Sequence, residues 1–179
     1  MPRALLRLSA RIDAFTGALG RGVAWLTALM VFIGAANAVL RYAGRFVGQN
    51  LTSNATLEMQ WYLFSAVFLL GAAAALKDDA HVRVDVFYGR LSPRGKAAID
   101  LAGTLLFLLP FCGFALWVSY PSVAASVRVW EMSPDPGGLP RWPIKALILA
   151  SFWLLLFQGL SEAIKKADLL LRGAPEEAP

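Results

Sequence analysis

Residues 57–76 read LEMQWYLFSAVFLLGAAAAL, a stretch whose one charge, Glu58, stands at its edge. Apart from Gln60 and Ser65, everything after that charge is aliphatic, aromatic or small. A helix crossing the ~30 Å hydrocarbon core of a bilayer needs about 20 such residues, each adding about 1.5 Å. A helix on the surface of a soluble domain needs only one apolar stripe. The stretch therefore reads as a membrane span, and working outward from it finds three more, at residues 23–42, 97–118 and 143–163. The composition agrees: of 179 residues 58% are hydrophobic and 16% charged, with a mean hydropathy of +0.56, a balance outside the range of soluble domains. The expected fold is an all-α integral membrane protein, a single membrane domain of four transmembrane helices.

Charge placement sets the expected orientation. The formal charge is +5, but the positions of the basic residues carry more information than their sum, because cytoplasmic flanks collect Lys and Arg. Arg3, Arg7, Arg11 and Arg21 precede the first span; Lys77, Arg83, Arg90, Arg94 and Lys96 lie between the second and third; Lys165, Lys166 and Arg172 follow the fourth. Only Arg41, Arg45, Arg128, Arg141 and Lys145 fall on the other side. Both termini are expected in the cytoplasm, with membrane lipid rather than nucleic acid as the partner of the basic surface. Tyr42, Trp61, Tyr62, Trp117, Tyr120, Trp130 and Trp142 then form an outer aromatic belt. Ala36-Asn37-Ala38 has the small-x-small form of a leader cleavage site. Its basic arm is too long for a leader and the apolar run continues beyond it, so the segment reads as a span.

Ahead of the first span, Leu5, Leu8, Ile12, Phe15 and Leu19 recur at helical spacing and the arginines fall elsewhere around the wheel. Residues 1–20 read as an amphipathic helix lying in the cytoplasmic interface, its end weakened by Gly17, Gly20 and Gly22. In the first outer loop, residues 43–56, Ser53 or Asn54 can cap the next helix, and Glu58 is placed in that helix's first turn, where a carboxylate suits the helix dipole. A carboxylate at a membrane edge can also mark an ion path or a partner contact. Asn37, deep in the first span, needs a partner across a helix interface. Asp100 lies one turn inside the third span, close enough to water to stay charged. Pro110 predicts a kink there. Gly34 with Ala38, and Gly71 with Ala75, would let helices approach closely. Residues 119–142 form the longest outer segment, ending in SPDPGGLPRWP, and the tail RGAPEEAP, residues 172–179, reads as disordered.

Much chemistry is excluded. A haem between helices needs two axial ligands, and His81 is the one histidine. Cys112 is the one cysteine, so no thiol pair or cysteine-rich metal site can form. A hydrolytic triad would need His81 in a sequestered site, and no phosphate-binding Gly-rich loop is present. The chain reads as a non-enzyme without a cofactor. An independent four-helix carrier acting as a dimer is the rival reading, although the first span has no acid and no broken-helix pattern occurs.

His81 lies in AHVRVDVFYGRL, residues 80–91, within the second loop. Val84, Phe87, Tyr88 and Leu91 share one side of a short helix that would lie flat on the membrane. His81 and Asp85 could pair across one turn, with Arg83 between them. A structural part is expected for all of these rather than metal binding.

The run LEMQWYLFSAVFLLGAAAALKDDAHVRVDVFYGRLSPR, followed by LAGTLLFLLPFC, GGLPRWPIKALI and FQGLSEAIK, resembles the small, four-helix membrane subunit of tripartite ATP-independent periplasmic (TRAP) transporters. The similarity extends from about Asp13 to Lys166 and is strongest in the branch associated with mannitol, chloroaromatic and 2-oxo acid uptake. It implies a scaffold in the bacterial inner membrane, fixed to a large membrane subunit that holds the substrate and sodium sites. A periplasmic substrate-binding protein would deliver an organic acid to that subunit. Under this resemblance Asn37, Glu58, His81, Arg83, Asp85, Phe87, Asp100 and Trp142 are the candidate interface or structural residues.

Overall fold

The computed structural model describes residues 2–80 and 88–172. His81, Arg83, Asp85 and Phe87 lie outside the described residues, as do nearly all of the C-terminal tail and the short helix expected around Val84. Four helices are each long and apolar enough to cross a membrane: α1 (Arg3–Val47), α2 (Asn54–Lys77), α3 (Pro93–Arg128) and α4 (Trp142–Arg172). The protein is a multi-pass, all-α membrane protein. One end of the bundle carries the termini and the α2–α3 connection. The other carries the α1–α2 turn and the α3–α4 loop, residues 129–141.

Helix α1 is longer than the sequence suggested. The amphipathic segment and the first span form one unbroken helix of 45 residues, about 68 Å at about 1.5 Å per residue. The glycines do not end it, because packing uses them. An added Cβ at Gly20 would stand 2.9 Å from the Cβ of Ala74, so α1 and α2 meet backbone to backbone there. The same antiparallel register sets Gly71 against Val23 and Gly34 against Gln60. The buried residues of α1 are Ser9, Thr16, Val23, Asn37 and Gly44, a seven-residue repeat whose missing member, Met30, is half-buried. Such a repeat keeps one narrow seam of a helix against its neighbours. Leu5, Leu8 and Phe15 of the expected apolar stripe are exposed, and the seam of the first turns is polar.

The α1–α2 connection is short. Helix α1 ends where Gly48 adopts a left-handed φ of 70°, a standard glycine stop. Ser53 caps α2 by accepting a hydrogen bond from the Thr56 N–H at 3.2 Å. Glu58 lies beyond the first turn of α2, so capping is not its role.

Helix α4 packs against all three others and contributes the most buried residues. Ser151 Oγ donates to the Leu69 carbonyl of α2 at 2.8 Å. Gly159 lies against Leu108 and Leu109 of α3, where an added Cβ would come within 3.0 and 3.1 Å. Just before Pro110, residues Thr104–Leu108 form a π-helical turn. Pro110 cannot donate to the preceding turn and its ring crowds that turn's carbonyl. Widening the helix by one residue accommodates both effects. Helix α3 also runs past Pro121 to Arg128, so the outer segment expected from residue 119 begins about ten residues later. Its first ten residues, 119–128, are helical.

Candidate functional site: a carboxylate clasp beneath the 129–141 loop

The α3–α4 loop folds onto the first turns of α2. Trp130, with a positive φ of 50°, ends the helix that precedes it. Arg141 N–H donates to the Glu131 carbonyl at 2.7 Å, and Ser133 N–H to the Leu139 carbonyl at 3.1 Å, so the loop closes as a narrow hairpin. Gly137, at φ 70°, and Gly138 form its tip. An added Cβ at Gly138 would lie 2.5 Å from Ser133 Cβ and 2.9 Å from Glu58 Oε2, so only glycine fits the place where the loop crosses the carboxylate.

Glu58, 5% exposed, is the point around which this loop is organised. Its Oε2 accepts the Leu139 N–H at 2.6 Å. Its Oε1 accepts the Ser133 hydroxyl and Arg141 Nη2, the latter at 3.1 Å. Arg141 also donates to Ser133 Oγ at 3.2 Å and stacks over the Trp61 ring, 4.8 Å from its centroid. Around this centre, Tyr62 OH donates to the Pro140 carbonyl and Asn54 Nδ2 to the Pro136 carbonyl at 3.0 Å. Lys145 pairs with Glu131, and its ammonium holds the Glu131 carboxyl below the ordinary glutamate range. Trp142, the first residue of α4, meets Trp130 edge to face at 5.2 Å. A carboxylate with three donors in place, one of them cationic, is an anchor for backbone and has little capacity left to carry a proton or an ion.

A second polar cluster lies at the terminal end. Gln158, fully buried, donates to Asp13 Oδ1 at 2.9 Å and to Glu162 at 3.2 Å. Ser161 Oγ reaches Asp13 at 2.7 Å and shares a 2.7 Å hydrogen bond with Ser9 Oγ. Lys165 joins Asp13 at 3.0 Å and also pairs with Glu162. Asp100 belongs to a neighbouring group, taking Lys166 Nζ at 2.7 Å and the Tyr88 hydroxyl at 2.8 Å. The structure thus disperses the sequence-derived candidates. Glu58 and Trp142 belong to the loop, Asp100 to the terminal end and Asn37 to the α1–α2 contact. Asn37 is buried, but its side-chain oxygen has no hydrogen-bond partner among the described residues, contrary to the partner expected across a helix interface.

These two clusters do not resemble a catalytic centre, and comparison with known proteins gives them a context. The description of the DctQ component of tripartite ATP-independent periplasmic transporters matches residues 30–169. The chain belongs to this family. Members of the DctQ family are transport subunits rather than enzymes. A protein of Haemophilus influenzae named as a TRAP transporter small permease protein is 33% identical over 84 residues. The match covers 47% of this chain and 47% of the relative, so the chain spans about half the length of the curated protein it matches. No solved structure matches.

Sequence reasoning missed Ser133, Arg141 and Tyr62 as partners of Glu58 and its loop, and missed the Asp13–Gln158 contact. The GGLPRWP motif held the available signal: two glycines followed by an arginine, close before a span, in a loop too long for a simple turn.

Proposed function

We propose that the chain is the scaffold subunit of a sodium-coupled TRAP-type transporter importing an organic acid, and that it forms no transport path of its own. One observation carries this reading: every acid within the four described helices is matched by a cation of the same chain. Asp13 and Glu162 share Lys165, Glu58 takes Arg141, Asp100 takes Lys166 and Asp168 takes Arg172. A coupling ion moving through this chain would need an acid open to a membrane path. The exposed apolar surface supports the same reading, since Trp25, Phe32, Phe107 and Trp117 are 72–79% exposed and suit lipid or a large membrane partner. With the basic residues gathered at the terminal end, that end faces the cytoplasm of a bacterial inner membrane. The clasped loop then faces the periplasm, where a substrate-binding protein docks on the complex. The resemblance to the mannitol, chloroaromatic and 2-oxo acid branch favours a carboxylate as the solute.

Reconstitution tests this. Liposomes holding the chain alone should accumulate no 2-oxo acid under a sodium gradient. Liposomes that also hold the large subunit, supplied with the binding protein, should take it up. Sodium-driven uptake by the chain alone, above empty liposomes, would establish the independent carrier instead.

A further inference from the structure

Between α1 and α2, at the end that carries the 129–141 loop, lies a cleft of about 430 Å³ that the clasp does not use. Asn37, Arg41, Tyr42 and Arg45 of α1 line it, with Leu57 and Gln60 of α2 opposite. We propose that this cleft binds an oxyanion that carries a hydroxyl or amine beside it, the chemistry of a phospholipid headgroup.

Three observations converge there. Asn37, Arg41 and Arg45 follow one another at single-turn spacing, so they share one face of α1. Like charges four residues apart repel, yet no carboxylate among the described residues pairs with Arg41 or Arg45. Arg45 only leans on the Tyr42 ring, 5.6 Å from its centroid. Two guanidinium groups on one face form a strong fork for a phosphate or carboxylate. Second, two buried polar atoms at the cleft lack partners among the described residues: Asn37 Oδ1, in a residue only 5% exposed, and Gln60 Nε2. The first accepts and the second donates, so a ligand with both an anionic oxygen and a neighbouring donor satisfies them together. Third, the cleft lies within about three turns of the end of α1 at Val47. Leu57 in its wall and Phe64, two turns farther toward the middle of α2 on the same face, are left exposed. A headgroup held by the arginines could lay its acyl chains along that apolar surface. The site is separate from the transport role proposed above and does not depend on it.

Native mass spectrometry of the full chain in detergent reads the binding, with dioleoyl phosphatidylglycerol and dioleoyl phosphatidylethanolamine as probes and dioleoylglycerol as the phosphate-free control. Both phospholipids should form adducts and dioleoylglycerol should not. Arg41→Gln/Arg45→Gln should weaken the adducts at least tenfold and Asn37→Ala several-fold. Arg128→Gln, a basic residue at the same end but away from the cleft, should change them less than twofold. Millimolar glycerol 3-phosphate distinguishes the sources of the ligand. Failure to displace the lipid supports a headgroup site, whereas displacement together with its own tight adduct supports a site for a soluble acid. Because the double variant could disturb folding, photoactivatable phosphatidylglycerol on the wild-type chain gives an independent readout, and its crosslinks should fall between Gly34 and Gln60. The proposal is overturned if dioleoylglycerol binds equally well, if a normally helical double variant keeps its adducts, or if the crosslinks map elsewhere. It is also overturned if the arginine pair affects only recovery of the large subunit, which would make the cleft a protein contact.

Discussion

Gly138→Ala is the most direct test of the clasp, because one methyl group must enter a space already filled. The new Cβ would stand 2.5 Å from Ser133 Cβ, 2.6 Å from Ser133 Oγ and 2.9 Å from Glu58 Oε2. Comfortable carbon contacts begin near ~3.5 Å, so the loop must withdraw by about 1 Å. No flexible side-chain end is available to give way, since Ser133 is fixed to Glu58 and Arg141. Overpacking of this kind costs about 1–3 kcal/mol. Gly113→Ala provides the opposing control. It sits inside α3 with nothing within 4 Å of an added Cβ, so the better helix former should stabilise the chain by about 0.5–1 kcal/mol. Reversible unfolding in mixed micelles would measure both, with near-ultraviolet dichroism of the Trp130–Trp142 pair and of Trp61 under Arg141 as the local signal. If Gly138→Ala unfolded within about 0.5 kcal/mol of wild type and kept its aromatic signal, while Gly113→Ala behaved as expected, the loop would not be seated on Glu58 as described.

Glu58→Ala should release the loop without unfolding the bundle, seen as faster hydrogen exchange at Leu139 and neighbouring amides with α2 and α4 unchanged; equal protection in the variant would remove Glu58 as the anchor. Acid should loosen the same loop, because the Lys145-paired Glu131 has its folded-state affinity for protons lowered. The stability it contributes is complete above the ordinary glutamate range and is lost as the pH falls below it. Glu131→Gln should blunt the acid-induced change in the Trp130–Trp142 signal, and an identical titration in that variant would contradict the assignment. Gln158→Leu, which deprives Asp13 and Glu162 of a donor, should destabilise the chain by about 1–2 kcal/mol, and no loss in micelle unfolding would mean that the polar seam contributes little. Single cysteines at Asn50, Asp135 and Ala80 in a Cys112→Ala background test the sidedness: an impermeant thiol reagent outside spheroplasts should label the first two, and labelling of the third alone would invert the orientation.

The four helices were legible because hydropathy over about 20 residues reports the bilayer directly, but their ends were not. Helix α1 continues to Val47 and α3 to Arg128 because helix ends depend on caps and close packing, including the left-handed Gly48 and a tolerated Pro121. A membrane environment also accepts proline inside a helix when neighbouring groups make up the lost bonds. Glu58 was noticeable as the one charge in its stretch. Its partners were hidden because Ser133, Leu139 and Arg141 lie more than 70 residues away and belong to a loop, which carries no periodic signal. The contact of the first turns with α4 was hidden for a related reason. Hydrophobic periodicity picks out the apolar side, here the exposed Leu5, Leu8 and Phe15, whereas the side that meets Ser161 and Gln158 of α4 carries Ser9 and Asp13.

The seven-residue seam of α1 makes the helix behave like a reading frame. Ser9 must face α4 at one end while Asn37 and Gly44 face inward at the other, with no loop between them to absorb an error of phase. One inserted or deleted residue between them turns everything beyond it by about 100° and shifts it by about 1.5 Å. Arg41 and Arg45 would leave their cleft, or Ser9 and Asp13 would leave Ser161 and Gln158. Away from the close contacts at Gly20 and Gly44, substitutions along this helix can be absorbed singly, but changes in its length can be absorbed only in steps close to seven. Length, more than the identity of any one side chain, is the constraint under which the first helix of this protein can vary.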